Sequence, residues 1–114
     1  MHIEAYRNHC LTKKGITEEF PFDDKTLVYK VMGKIFTIAD IDQFESINVK
    51  CDPAIAIQLR EAYPSVLPGY HMNKQHWNTI LVDGSIPDQL LYQWIDDSYQ
   101  LVVAKLPKSI QTML

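Results

Sequence analysis

Two periods of hydrophobic and polar positions alternate along the chain and mark out its elements. Ile3, Tyr6 and Cys10, with Leu11 beside them, recur at helical spacing and predict a helix over 3–14. Lys13 and Lys14 suit the negative end of its dipole, and Gly15 supplies a stop. From Thr26 the period drops to two. Leu27, Tyr29 and Val31 alternate with Val28, Lys30 and Met32, Gly33 interrupts, and Lys34–Ala39 resumes, which predicts a hairpin. Asp40-Ile41-Asp42 turns the chain into a further strand over Phe44–Cys51. There Ile47, Val49 and Cys51 share one face and Ser46, Asn48 and Lys50 the other, as in an antiparallel sheet covered on one side.

Asp52-Pro53 then starts a helix, with Asp as N-cap and Pro at the first helical position. Ile55, Leu59 and Ala62 predict its buried stripe, and Pro64 stops it. Val66–Met72 reads as irregular or a short strand, and His76–Val82 as another strand. For the last helix, Ser85 and Asp88 have capping-box spacing with Pro87 in the first turn. Leu91, Trp94, Ile95, Ser98, Val102 and Lys105 or Leu106 trace its inner stripe, and Pro107 ends it. Helix, strands, helix, strands, helix with short hairpin loops predicts an α+β fold, an antiparallel sheet with helices on one face.

Composition adds limits. The 114 residues fit one domain over 1–114, and 46% hydrophobic with 22% charged residues is an ordinary globular balance. Neither a signal-peptide pattern nor an apolar run long enough for a bilayer is visible, and Cys10 and Cys51 match no CxxC or zinc-ligand spacing. The expectation is a cytoplasmic protein with reduced thiols and no membrane association. A net charge of −3 argues mildly against nucleic acid, because phosphate neutralisation needs a basic surface. Only a local patch would serve.

Several stretches together identify a resemblance. Gly33-Lys34-x-Phe36, Ile47–Pro53, Leu59-Arg60, Pro68–Thr79, Asp83-Gly84, Ser98-Tyr99 and Leu106-Pro107-Lys108 resemble the YjbR/MmcQ family, in order, from about Cys10 to Lys108. The segment Asn73-Lys74-x-His76-Trp77-Asn78-Thr79 is its most specific part. The resemblance implies a CyaY-like two-layer fold, no agreed catalytic activity or cofactor, and the DNA-binding label usually attached to the family. Gln100 and Ser109 depart from its frequent Asp and Lys, and the latter weakens any C-terminal basic patch.

Tyr70–Thr79 concentrates the candidate chemistry. If extended, it would project His71, Asn73 and Gln75 on one side and Met72, Lys74 and His76 on the other. As a binding loop, Lys74 would meet a phosphate or carboxylate, Asn73 or Asn78 a base or main chain, and Trp77 or Tyr70 a stacking surface. As a loop held by its own side chains, Trp77 would fill the core and Asn73 would satisfy backbone amides. Ser98 would bond back to the Trp94 carbonyl, or else Ser98 and Tyr99 would support the loop. Lys30, Lys34, Lys50, Arg60 and Lys74 would form a positive patch if the fold brought them together.

Catalysis and metal binding find little support. The acidic pairs 18–19, 23–24 and 96–97 point apart on any regular element, the first helix carries only Glu4 against Arg7, Lys13 and Lys14, and His71 with His76 lacks a third ligand. No nucleophile-elbow, phosphate-loop or zincin motif is present, and Cys51 shares its face with core residues. The leading expectation is therefore a non-catalytic module without cofactor that binds duplex DNA through the 70–79 loop, Lys50 and Arg60. The alternatives are a protein-interaction module using the open sheet face or the Trp77 region, and a small-ligand site beside Asn73 and Ser98.

Overall fold

A computed structural model of the chain describes residues 1–70 and 72–114; the candidate His71 lies outside the described residues. The elements run α1 (Ile3–Leu11), β1 (Ile16–Glu19), β2 (Thr26–Val31), β3 (Lys34–Asp40), β4 (Ser46–Lys50), α2 (Pro53–Ala62), β5 (Val66–Pro68), β6 (Trp77–Leu81), α3 (Asp88–Ala104) and the short α4 (Lys108–Gln111). The strands form one antiparallel sheet in the order β1-β2-β3-β4-β6-β5. This is the α+β architecture expected from the two periods.

The helices cover one face. Leu27, Tyr29 and Val31 of β2, Ile47 and Val49 of β4 and Ile80 of β6 pack in one core with Tyr6 and Cys10 of α1 and Leu91, Ile95 and Val102 of α3. The β2–β3 hairpin turns on Met32 and Gly33, at φ 48° and 83°. Positive φ at both central residues gives a two-residue loop whose twist matches the strands. Phe44 also lies at positive φ, 47°, and its ring meets Tyr6 at 5.4 Å between centroids, so β4 begins at Ser46 rather than at Phe44.

Several sequence expectations are corrected. The first helix stops at Leu11, capped by Thr12, and Lys13 beyond it pairs with Asp96 of α3. β1 had no separate signal: Glu18 and Glu19 make both faces of this edge strand polar. Glu18 bonds Arg7 and the Tyr29 hydroxyl, whereas Glu19 bonds Thr17 and Lys30. Nor does a capping box open α3. The Ser85 hydroxyl turns back to Asp83 and Ser65, and Pro87 occupies the N-cap position without a side-chain bond. The α2 stripe is also displaced. Ile55 is 49% exposed, Ala62 is exposed, and Ala56 is the helix's fully buried residue.

The Arg7–Glu18 pair gives the fold an acid-sensitive contact. Arg7 hydrogen bonds hold the Glu18 carboxyl below its ordinary range; burial opposes this, and the Tyr29 hydroxyl adds to the lowering. A carboxyl with a depressed folded pKa binds fewer protons folded than unfolded, so its stabilisation exists above the unfolded value and is lost as pH falls through the folded one. Glu18→Gln is expected to flatten the pH dependence of the urea midpoint below about pH 4. An unchanged slope there would assign the acid sensitivity to other carboxyls.

Candidate functional site

β6 lies between β4 and β5 and runs antiparallel to both, so the connection between Pro68 and Trp77 joins two neighbouring strands. Its anchoring uses most of the residues expected to bind a ligand. Asn73 accepts the Gln75 N–H on its side chain at 2.9 Å, and its carbonyl accepts the His76 and Trp77 N–H groups at 3.2 and 2.9 Å. Arg60, on α2, donates to Asn78 Oδ1 at 2.7 Å, to the Trp77 carbonyl at 3.2 Å and to the Lys74 carbonyl. Asn78 is fully buried and donates in turn to the Ala56 carbonyl. Arg60 is thus a latch between α2 and the loop, with its guanidinium committed to protein acceptors. Trp77 is buried opposite Lys50 in the β4–β6 register and offers no stacking surface. Lys74 is exposed and His76 half-buried on the same turn.

Ser98 and Tyr99 support other elements. The buried Ser98 hydroxyl donates to the Phe36 carbonyl at 2.6 Å and accepts the Lys50 N–H at 2.8 Å, in place of the expected bond to Trp94. It closes the ladder where β3 and β4 diverge. The Tyr99 hydroxyl donates to the Lys14 carbonyl at 2.7 Å, away from the 70–79 loop.

The sheet segregates charge along its strands. Asp23, Asp24, Asp40, Asp42 and Glu45 flank the end where β2 begins and β3 finishes, with Lys25 bonded to Asp42 among them. At the other end Lys34, Lys50 and Lys105 line a common cavity of about 350 Å³, and Lys108 follows at the start of α4. Burial, followed by the charge of Lys105, pushes the Lys50 ammonium below its usual range. The fold therefore brings together Lys34 and Lys50 of the expected patch. Lys30 pairs with Glu19, Arg60 is the latch, and Lys74 stands on the loop before β6. Lys105 was missed as a surface cation, although Lys105 and Lys108 around Pro107 mark a basic helix end.

Two further hollows flank the sheet. On the open face a groove of about 690 Å³ has Thr26, Ile35, Ile38, Asp40, Ser46 and Asn48 on its floor and Phe22, Tyr70 and Met72 on its walls. Phe22 is 67% and Tyr70 70% exposed. Thr79 holds the Tyr70 wall in place: its hydroxyl accepts the Tyr70 N–H at 2.8 Å and donates to Asn48 Oδ1 at 2.6 Å. Phe22 was missed, though two aromatics around Pro21 in an otherwise polar connection are a visible signal. On the helical side a cleft of about 330 Å³ runs between α2 and α3. Cys51 is half-buried beside it, and burial followed by the charges of Asp52 and Asp97 raises its thiol pKa, the opposite of an activated nucleophile. Among the described residues, no three His, Cys, Asp or Glu side chains are grouped to hold a metal, and no helix is long and apolar enough to cross a membrane.

Comparison with known proteins agrees with this architecture. The YjbR family model matches residues 11–101. The uncharacterized protein YjbR of Escherichia coli K12 is 32% identical over 115 positions, covering 100% of this chain and 98% of the relative. The uncharacterized protein YbdF of Escherichia coli O157:H7 is 40% identical over 93 positions, covering 81% and 76%. Among solved structures, a Deinococcus radiodurans protein with the domain DUF419 superposes with a TM-score of 0.92 at 38% identity, over 98% of this chain and 86% of that one. A Pseudomonas syringae protein at 24% identity shares the fold with a TM-score of 0.75, over 89% and 98%.

Proposed function

The chain belongs to the YjbR family, and from that premise and the geometry above we propose a non-catalytic interaction module that presents its open sheet face to a protein partner. The groove walled by the exposed rings of Phe22 and Tyr70 carries this reading. Exposed aromatic side chains around a concave floor are the usual anchors of an interface, and a patch of this kind on a small protein marks a contact surface. Asp40 in the groove, with Asp23 and Asp24 beside Phe22, sets the occupant's chemistry: a partner segment with apolar side chains and at least one basic one. Trp77, buried under the loop, belongs to the fold instead of the interface.

The test places a photo-crosslinking phenylalanine analogue at position 22 or 70 in the native host, with exposed position 57 on α2 as control. One protein is expected to be captured from 22 and 70 and not from 57. Once purified, it should bind the wild-type chain with little salt dependence and lose about tenfold or more in affinity to the Phe22→Ser/Tyr70→Ser double variant. Equal capture from 57, or an unaffected double variant, overturns the reading.

Duplex DNA is kept as a second reading by the convergence of Lys34, Lys50 and Lys105. It predicts fluorescence-anisotropy binding whose logarithmic salt slope falls by roughly 1 for each phosphate contact removed, as in Lys34→Ala/Lys105→Ala. Absence of binding at low salt removes it.

A further inference from the structure

The cleft between α2 and α3 is lined with apolar side chains that an ordinary two-helix contact would bury. Ile55 projects from α2 half-exposed, Leu59 lies a turn further on, and Trp94 and Leu101 line the α3 side. At about 330 Å³ the space lies at the lower end of the range of small-molecule sites, roughly 300–1,000 Å³. Its charge comes from carboxylates. Asp52 at the start of α2 and Asp97 on α3 both belong to the lining. Asp52 Oδ1 accepts the Ala54 and Ile55 N–H groups as the N-cap, and Asp97 Oδ1 accepts from Gln93. Among the described residues the second oxygen of each accepts no hydrogen bond, and neither carboxylate forms an ion pair. Both charges are felt inside the cleft: after burial, Asp52 and Asp97 raise the pKa of the Cys51 thiol, which is part of the lining. Arg60 opposes them more weakly, with its guanidinium committed to the loop. Lys50 also contributes to the lining, but after burial the charge that acts on its ammonium is that of Lys105, in the neighbouring cavity.

We propose that this cleft binds a small protonated amine, with a ring-sized apolar body against Ile55, Leu59, Trp94 and Leu101 and its ammonium at Asp52 and Asp97. Apolar contact supplies most of the affinity, because an ion pair at an exposed carboxylate contributes little. The two carboxylates select the sign of the head group. The site lies on the helical side of the sheet, independent of the groove at Phe22 and Tyr70.

The experiment compares phenethylamine, phenethyl alcohol and hydrocinnamate, which share a ring and ethyl spacer and differ in a positive, neutral or negative head. Each is titrated into the isotopically labelled full chain while its amide, methyl and indole resonances are followed. Phenethylamine is expected to give saturable shifts at Ile55, Leu59, Trp94 and Leu101, with the alcohol about tenfold weaker and hydrocinnamate weaker still. Asp52→Asn and Asp97→Asn should each weaken phenethylamine about threefold, and together about tenfold, while leaving the alcohol within about twofold. Asparagine is as good an N-cap as aspartate, so α2 is spared, and retained alcohol binding shows that the cleft is intact. Cys51 gives an independent readout. Cys10 is fully buried, so a neutral maleimide reports on Cys51 in the folded chain, and phenethylamine should slow that labelling with the midpoint of the resonance shifts. Phe22→Ser/Tyr70→Ser should leave phenethylamine binding unchanged whether or not a protein partner is lost. Alcohol or hydrocinnamate binding as tightly as the amine, binding untouched by Asp52→Asn/Asp97→Asn, shifts confined to residues outside the cleft, or no saturation would each overturn the proposal.

Discussion

Arg60→Met is expected to lower the unfolding free energy by about 3 kcal/mol and to release the 73–77 turn from α2. The guanidinium holds three acceptors on two elements: Asn78 Oδ1, the Trp77 carbonyl and the Lys74 carbonyl. Hydrogen bonds from a charged donor contribute roughly 1.5–3 kcal/mol each, more where the abandoned acceptor cannot be rehydrated. These three are unequal. The Trp77 carbonyl keeps the Gly69 N–H at 2.8 Å, and the Lys74 carbonyl lies on an exposed residue where water can replace the arginine. Asn78 is fully buried, and its side-chain oxygen loses its charged donor without access to solvent. Most of the loss therefore comes from one atom. Urea unfolding measures the total, and hydrogen exchange at the His76 and Trp77 amides measures the local release. A loss below about 1 kcal/mol with unchanged exchange would mean that the turn is held by Asn73 alone. Arg60→Lys should recover only part of the stability, since one ammonium cannot reproduce a planar fork of donors.

That role explains what the sequence disclosed and what it did not. Regular alternation in β2, β3 and β4 and the Asp52-Pro53 start of α2 are local facts, written in neighbouring residues, and the fold keeps them. Contacts across long separations were not written there. Arg60 and Lys74 looked like two cations of one surface because both are polar, solvent-compatible types. The acceptors 14 to 18 residues from Arg60 make it a latch, whereas Lys74 is an exposed surface charge. Ser98 is similar: a hydroxyl inside an apolar stripe suggested a bond within its own helix, whereas its partners lie on β3 and β4, 62 and 48 residues away. Burying a donor and an acceptor of two strands made the cross-sheet bond the better one.

The misread stripe of α2 carries functional information. Ile55, Leu59 and Ala62 satisfy helical periodicity, and periodicity alone assigns them to the core. The helix docks through Ala56, Leu59 and the Arg60 latch, and leaves Ile55 half-exposed on a cleft. An apolar side chain that obeys the period but is left uncovered is a cost in the isolated chain, one that an occupant of the cleft would recover. The same logic applies to Phe22 and Tyr70 on the other side of the sheet. Candidate sites thus arise where a pattern typical of the core remains at the surface, and sequence alone cannot separate the two.

Gly69→Ala is expected to destabilise the chain by about 2–3 kcal/mol, as overpacking of a tight site does, and to disturb the Tyr70 wall of the open-face groove. A methyl group built at Gly69 would lie 2.7 Å from Trp77 Cβ, 2.8 Å from the Trp77 carbonyl oxygen and 3.1 Å from its carbonyl carbon. Two of those atoms are backbone of a paired strand, so no rotamer change relieves the overlap. β5 must move away from β6 or the peptide after Pro68 must tilt, and either motion stretches the 2.8 Å bond from the Gly69 N–H to the same carbonyl. The adjacent Tyr70 N–H, held by Thr79 at 2.8 Å, moves with it. Denaturant unfolding checks the stability. The resonances of Thr79 and Asn48, which lie under the groove wall, check the displacement, while those of Trp94 and Leu101 in the α2–α3 cleft should stay in place. A variant of wild-type stability would show that β5 yields freely at this end. In that case the position of Tyr70 would be set by Thr79 rather than by close packing of Gly69 on Trp77.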